Sequence, residues 1–257
     1  MATAKENAIN LYMKGIRDGH AEEAINAYTG ARYTQHSTGV ADGKEGFLAF
    51  FGPFIERHPD RDIRVVRALQ DGAKVFVQAH QVLNGGAARW VTTDFFDSDA
   101  NGLIVEHWDV IGEDTPPNSA GRTLVDGPTE VVDIEKTEAN KALISEYIDA
   151  CLIGRRVDRM GDFISDEVFH QHSVGMKDGL AAFVSYYAAD DCPLSYQECF
   201  LMVGEGNFVA TLNRTRLDGQ DMCQADIFRL DGGKIVEHWD NAEPVPPREE
   251  WANSGKF

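Results

Sequence analysis

The chain repeats itself, and this constrains its fold more than any other feature. Residues 33–51 read YTQHSTGVADGKEGFLAFF and residues 169–187 read FHQHSVGMKDGLAAFVSYY. Gln35/Gln171, His36/His172, Ser37/Ser173, Gly39/Gly175, Asp42/Asp178, Gly43/Gly179 and Phe47/Phe183 pair in one register. The hexapeptide IVEHWD at 104–109 recurs at 235–240, Asp94-Phe95-Phe96 corresponds to Asp226-Ile227-Phe228, and Asn118-Ser119-Ala120-Gly121 corresponds to Asn253-Ser254-Gly255. Each copy is far longer than the ~20–50-residue repeats that stack into solenoids, so the series predicts two similar domains.

The stretch after the first IVEHWD holds Pro116-Pro117, Gly121 and Gly127-Pro128, which read as linker and turn signals. A helical pattern restarts near Glu135. The sequence therefore predicts one domain over 1–117, a linker over 118–134 and a second domain over 135–257. Each copy opens on a helix, with Ile9, Tyr12, Met13 and Ile16 at helical spacing in the first and Leu143, Ile144, Tyr147, Ile148 and Cys151 in the second. Gly19 and Gly154 are the expected stops. A short helix, a brief strand at Tyr33–Ser37 or Phe169–Ser173 and an aromatic-rich third helix follow. Four β-rich segments, separated by turns such as Asp71-Gly72 and Asp218-Gly219, complete each copy. Helices segregated from a meander make an α+β class: two tandem cones, each a curved antiparallel sheet closed by three helices.

The net charge of −18 argues against nucleic acid or an anionic membrane as partner, since both reward Lys/Arg clusters. No apolar run approaches the roughly 18 residues of a membrane span, and the N-terminus lacks a basic-then-apolar leader pattern. The expectation is a cytoplasmic protein, with Cys151, Cys192, Cys199 and Cys223 as reduced thiols.

The order of elements, together with Asp226-Ile227-Phe228-Arg229 and Gly233-Lys234-Ile235-Val236-Glu237-His238-Trp239-Asp240, resembles the SnoaL-like polyketide cyclase family. That family lies in the nuclear transport factor 2-like superfamily, with the ketosteroid isomerases. Tyr33-Thr34-Gln35-His36 followed by Asp42-Gly43 resembles its aldol-condensation branch. The resemblance implies an interior pocket and sheet-to-sheet pairing, here supplied within one chain as a pseudo-dimer, with further homo-oligomers left open. It does not specify chemistry, because one fold hosts many activities.

Asp94 and Asp226 stand in apolar strands, where a charged residue is unusual unless partnered. A carboxylate buried in a pocket has a raised pKa and can act as a base on a carbon acid; the alternative is an aspartate held by structural partners. His36 and His172 are candidates to stabilise or protonate an enolate oxygen, against a structural role holding their strand. Gln35 and Gln171 accompany them. Strand alternation puts Glu106 and Trp108 on one face and His107 and Asp109 on the other. Trp108 and Trp239 are taken as pocket walls, with core packing as the other reading. His80 faces Leu212 in the copy, so that histidine belongs to one half only.

His170-Gln171-His172 spaces two imidazoles for a metal, but the other half has Thr34 at the first place and nothing completes a set of three or four ligands. No dinucleotide, P-loop, zinc-protease or nucleophile-elbow motif is present, so neither metal nor cofactor is expected. The reading is a cofactor-independent protein that takes a small apolar carbonyl compound. It isomerises or cyclises that compound by proton abstraction; the alternative is a non-catalytic binder of small hydrophobic molecules.

Overall fold

The computed structural model describes residues 2–257. In the first repeat, Thr3 opens helix α1 (Ala4–Asn10) with a capping box: its Oγ1 accepts from Glu6 N at 3.1 Å and its own N–H donates to Glu6 Oε2 at 2.7 Å. The helix widens into a π-helical stretch, Leu11–Arg17. Then come α2 (Ala21–Tyr28), β1 (Thr29–Gln35), α3 (Gly43–Arg57), β2 (Arg61–Asp71), β3 (Lys74–Leu83), β4 (Ala88–Ser98) and β5 (Ile104–Glu113). The second repeat has the same order: α4 (Thr137–Tyr147) running into a π-helical stretch, α5 (Met160–Phe163), β6 (His170–Gln171), α6 (Leu180–Ala188), then β7 (Leu194–Glu205), β8 (Phe208–Leu217), β9 (Gln220–Asp231) and β10 (Lys234–Pro244).

Each repeat folds one five-stranded sheet, ordered β1-β5-β4-β3-β2 in the first and β6-β10-β9-β8-β7 in the second. The meanders are antiparallel, and only the short first strand pairs in parallel with the last. Asp218 and Gly219 both take positive φ (50° and 82°), the two-residue turn that matches strand twist. The expected stop at Gly154 is displaced by one residue: Gly154 is still right-handed, and Arg155 takes the left-handed conformation at φ 53°.

The mixed α+β class read from the sequence holds. In the first core, Ala8, Leu11, Ile16, Ile25, Phe47 and Phe54 from the helices meet Ile63, Val75, Val77, Ala79 and Phe96 from the sheet. In the second, Ile144, Ile148, Met160, Phe163 and Phe183 meet Val209, Phe228, Leu230 and Ile235. The helical stripe and one sheet face supply each core, which is why both repeats carry a 3.6-residue and then a 2-residue apolar period.

The chain divides into two compact units, and neither is a contiguous repeat. Unit 1 comprises Met1–Glu113 with Val245–Phe257, and unit 2 comprises Asp114–Pro244. The segment after each last strand therefore belongs with the other repeat. The cause is side-chain capping of backbone. In unit 1, Asn253 Nδ2 donates to the carbonyls of Ser37 (2.6 Å) and Val40 (2.9 Å). In unit 2, Asn118 Nδ2 donates to those of Gln171 (2.7 Å) and Ser173 (3.3 Å). The stretch read as a free linker over 118–134 is thus docked structure, its Pro and Gly residues shaping a path rather than a tether.

Candidate functional site

A cavity of about 300 Å³ lies in unit 1 between helices and sheet. Phe47, Phe50, Phe51 and Phe54 of α3, with Trp90 and Phe96 of β4, form apolar walls. Tyr12, Gln35, Ser37, Gln81, Thr92, Asp94, His107 and Asp109 make a polar floor. The floor follows from register: Asp94 stands directly opposite Asp109, so every second residue of β4 and β5 from these positions faces inward, and His107 is among them.

Asp94 is 1% exposed. Its Oδ2 accepts from Tyr12 Oη at 2.7 Å, and its Oδ1 lies 2.8 Å from His107 Nε2. The other imidazole nitrogen, Nδ1, donates to Gln35 Oε1 at 2.8 Å, while Gln35 Nε2 points to Tyr33 Oη at 3.4 Å. An amide oxygen only accepts, so Nδ1 carries hydrogen and one proton lies between Nε2 and Asp94. Burial holds Asp94 above the ordinary carboxylate range, and its bond and attraction to His107 offset this only in part. Asp109, 6% exposed, behaves oppositely. Burial alone would raise it, but Lys256 and His107 outweigh burial and hold it below the usual value. Burial, then the charge of Asp94, pushes the Tyr12 phenol well above its usual value, so it stays a donor.

Unit 2 keeps the same chain of three groups. His238 Nδ1 donates to Gln171 Oε1 at 3.0 Å, and its Nε2 lies 2.9 Å from Asp226 Oδ1. Asp226 is as buried as Asp94 but receives more hydrogen bonds. Tyr196 Oη (3.0 and 3.1 Å), Asn213 Nδ2 (2.7 Å) and Gln224 Nε2 (3.0 Å) also donate to it. Tyr33 is replaced by Phe169, and Gln171 Nε2 is left without a hydrogen-bond partner.

Several sequence-based assignments need correction. Asp94 and Gln35 do line the cavity; His36, His80 and Trp108 do not. His36 and Trp108 lie on the opposite face of the sheet, stacked at 4.5 Å with 2° between their planes. His36 Nδ1 donates to the Gly255 carbonyl (2.6 Å), and Nε2 faces Glu106 Oε1 (2.9 Å). His172 and Trp239 repeat this at 4.4 Å, with His172 bonded to the Thr123 carbonyl (2.7 Å) and Glu237 (2.8 Å). Both histidines clamp a docked tail. His80 faces away because its neighbour Gln81 faces in. His170 is taken up by Arg122 and Asp178, so the two imidazoles of His170-Gln171-His172 serve different partners. Among the described residues, no group of three or more His, Cys, Asp or Glu is placed to hold a metal ion, and no helix is long and apolar enough to cross a membrane. Sequence reasoning overlooked Tyr12, His107, Asp109, His238 and Lys256 as site residues. Parity with Asp94 would have found His107 and Asp109.

The clamp carries a pH dependence. Burial alone would raise Glu237, but its bonds to His172 and Arg229 (Nε to Oε2, 2.7 Å) hold it below the ordinary glutamate value. A depressed carboxyl contributes stability that is complete above the unfolded value, about 4.3, and is lost as pH falls through the lower folded value. Urea midpoints should therefore fall more steeply below about pH 4.5 in the native chain than in Glu237→Gln. Parallel curves would remove Glu237 as the source.

Residues 11–107 match the SnoaL-like domain model. No curated protein matches the chain. Among solved structures, the chain is similar to a candidate ketosteroid isomerase from Kribbella flavida, at 17% identity over 44% of this chain and 87% of that one, with a TM-score of 0.37. It is similar to an LEH-like epoxide hydrolase from M. tuberculosis at 12% identity, over 42% and 85%, with a TM-score of 0.37. IdmH from Streptomyces antibioticus, a candidate polyketide cyclase, matches at 16% identity over 40% and 91%, with a TM-score of 0.34. The family resemblance read from the sequence thus holds over residues 11–107, where the domain model matches, and the second unit repeats the strand order of the first.

Proposed function

We propose that unit 1 is a cofactor-independent enzyme whose cone-shaped interior takes a small, largely apolar carbonyl compound and moves a proton at the carbon next to the carbonyl. The observation that carries this is the pair of facing aspartates in one apolar cavity, Asp94 pushed up and Asp109 pushed down. Two carboxyls driven apart by their surroundings are the arrangement that separates proton exchange from fixed charge. Asp94 takes the α-proton, forming an enolate. The protonated Asp94 exchanges with solvent and returns a proton to the α-carbon, or to another carbon in isomerisation; in the aldol case the enolate attacks a second carbonyl and that oxygen takes the proton. Gln81 Nε2, engaged only by a long 3.5 Å contact to Thr92 Oγ1, is the donor for the developing oxyanion, in place of His36. The volume, about 300 Å³, sits at the small end of ligand pockets.

The test is solvent deuterium exchange. Wild-type protein in deuterated buffer with a panel of small cyclic β,γ-enones should introduce deuterium at the α-carbon faster than buffer alone. Binding without exchange would instead support a container. That reading has its own supporting observation: both Asp94 oxygens are already hydrogen-bonded.

A further inference from the structure

We propose that Lys256 is a positioning residue of the cavity: its ammonium, delivered by the segment that follows β10, fixes Asp109 as the standing anion of the floor and leaves proton exchange with a ligand to Asp94. The proposal rests on the reading of Asp94 as the base.

The geometry begins at a strand edge. β1 pairs with β5 up to Gln35 opposite His107, so two residues further on the edge of β5 is open to the tail. There Lys256 Nζ donates to the Asp109 carbonyl at 2.8 Å and to its Oδ1 at 2.7 Å. Lys256 is 2% exposed, and an ammonium that deep is tolerated only when paired. Asp109 belongs to the cavity floor and faces Asp94 across the β4–β5 ladder. The other groups around it are His107 on β5, the phenols of Tyr12 and Tyr33, and the Ser37 hydroxyl.

Two facing carboxyls share their protons, and the nearest cation decides which one keeps its charge. Unit 2 is the internal comparison. The clamp corrects the register read from the sequence, which paired Gly255 with Gly121: Thr123 and Gly255 are the equivalent positions, since each gives its carbonyl to the clamp histidine. The next residues, Leu124 and Lys256, therefore correspond. With a leucine at that place, burial holds Asp240 above the ordinary aspartate value, the reverse of Asp109. The lysine thus stands in the unit whose cavity is lined by Asp94 and Asp109.

The experiment follows the carboxyl carbons of Asp94 and Asp109 by 13C NMR titration in the wild type, Lys256→Met and Lys256→Arg. Met should move Asp109 up by roughly 1–3 pH units and Asp94 down, exchanging their order, while Arg keeps the wild-type order. Unmoved carboxyls in Lys256→Met, or an exchanged order in Lys256→Arg, overturn the proposal. Amide exchange over 253–257 reports whether the tail stays docked. Should it detach, Leu124→Lys gives the deciding reading: a lysine beside Asp240 must lower that titration, and an unchanged Asp240 overturns the proposal. The deuterium assay on the same variants separates the two claims. An exchanged carboxyl order with undiminished exchange into the enone removes Asp94 as base and overturns the division of roles.

Discussion

Asp94→Asn is expected to lower proton exchange into a bound enone by about 100- to 10,000-fold, the share commonly due to a positioned general base. Ligand affinity should stay within a few fold. The substitution is nearly isosteric, and its fit can be worked out atom by atom. The new amide nitrogen can donate to His107 Nε2, and its oxygen can accept from Tyr12 Oη, so the bonds at 2.8 and 2.7 Å have replacements. The aromatic walls that contribute most of the contact surface are untouched. What disappears is the capacity to take a proton. Asp226→Asn is the companion measurement. Asp226 already receives hydrogen bonds from Tyr196, Asn213 and Gln224 and faces His238, which leaves little of the carboxylate for a ligand. Its substitution should leave exchange unchanged. Unaltered exchange in Asp94→Asn would take Asp94 out of the mechanism, and loss in Asp226→Asn alone would move the active unit.

Trp239→Ala should destabilise the protein by about 3–5 kcal/mol, the usual cost of truncating a buried Trp or Phe. Trp239 is 1% exposed, stacks on His172 and donates Nε1 to the Asp126 carbonyl at 3.1 Å. Its loss opens a cavity and frees the clamp that holds residues 118–128. Chemical denaturation should show the lower midpoint, and amide exchange should quicken over that segment before the sheet opens. The corresponding Trp108→Ala distinguishes the two readings of the tryptophans. A pocket wall would change ligand affinity. A clamp residue on the opposite face lowers stability and leaves affinity alone, and the latter is expected from the 4.5 Å stack on His36. A change in affinity at constant stability would show the face assignment to be mistaken.

The repeat, the order of elements and the burial of Asp94 in a pocket were legible in the sequence because they depend on local period and on identity between copies. The face of IVEHWD that lines the cavity was not. Duplication preserved Glu106, His107, Trp108 and Asp109 together, so the comparison of copies weighs both faces equally. Only the pairing of Asp94 with Asp109 decides between them. The duplicated His36 and His172 drew attention for the same reason, and they proved to be duplicated clamps. The tails were hidden for another cause. Asn118 and Asn253 were visible as a repeat, but their partners are carbonyls about 50 and more than 200 residues away, and no local pattern announces such a bond. Lys256 lacked even that signal, because its counterpart is Leu124.

The crossed tails also set a timetable for synthesis. A ribosome releases residues at roughly 5–20 per second, and the leading domain of a two-domain chain ordinarily finishes first. Here unit 2 is wholly emitted once Pro244 appears, whereas unit 1 waits for Val245–Phe257. The half that begins first is therefore finished last. From the synthesis of Glu113 to that of the tail, several seconds to tens of seconds at those rates, its floor holds Asp109 without the lysine that neutralises it.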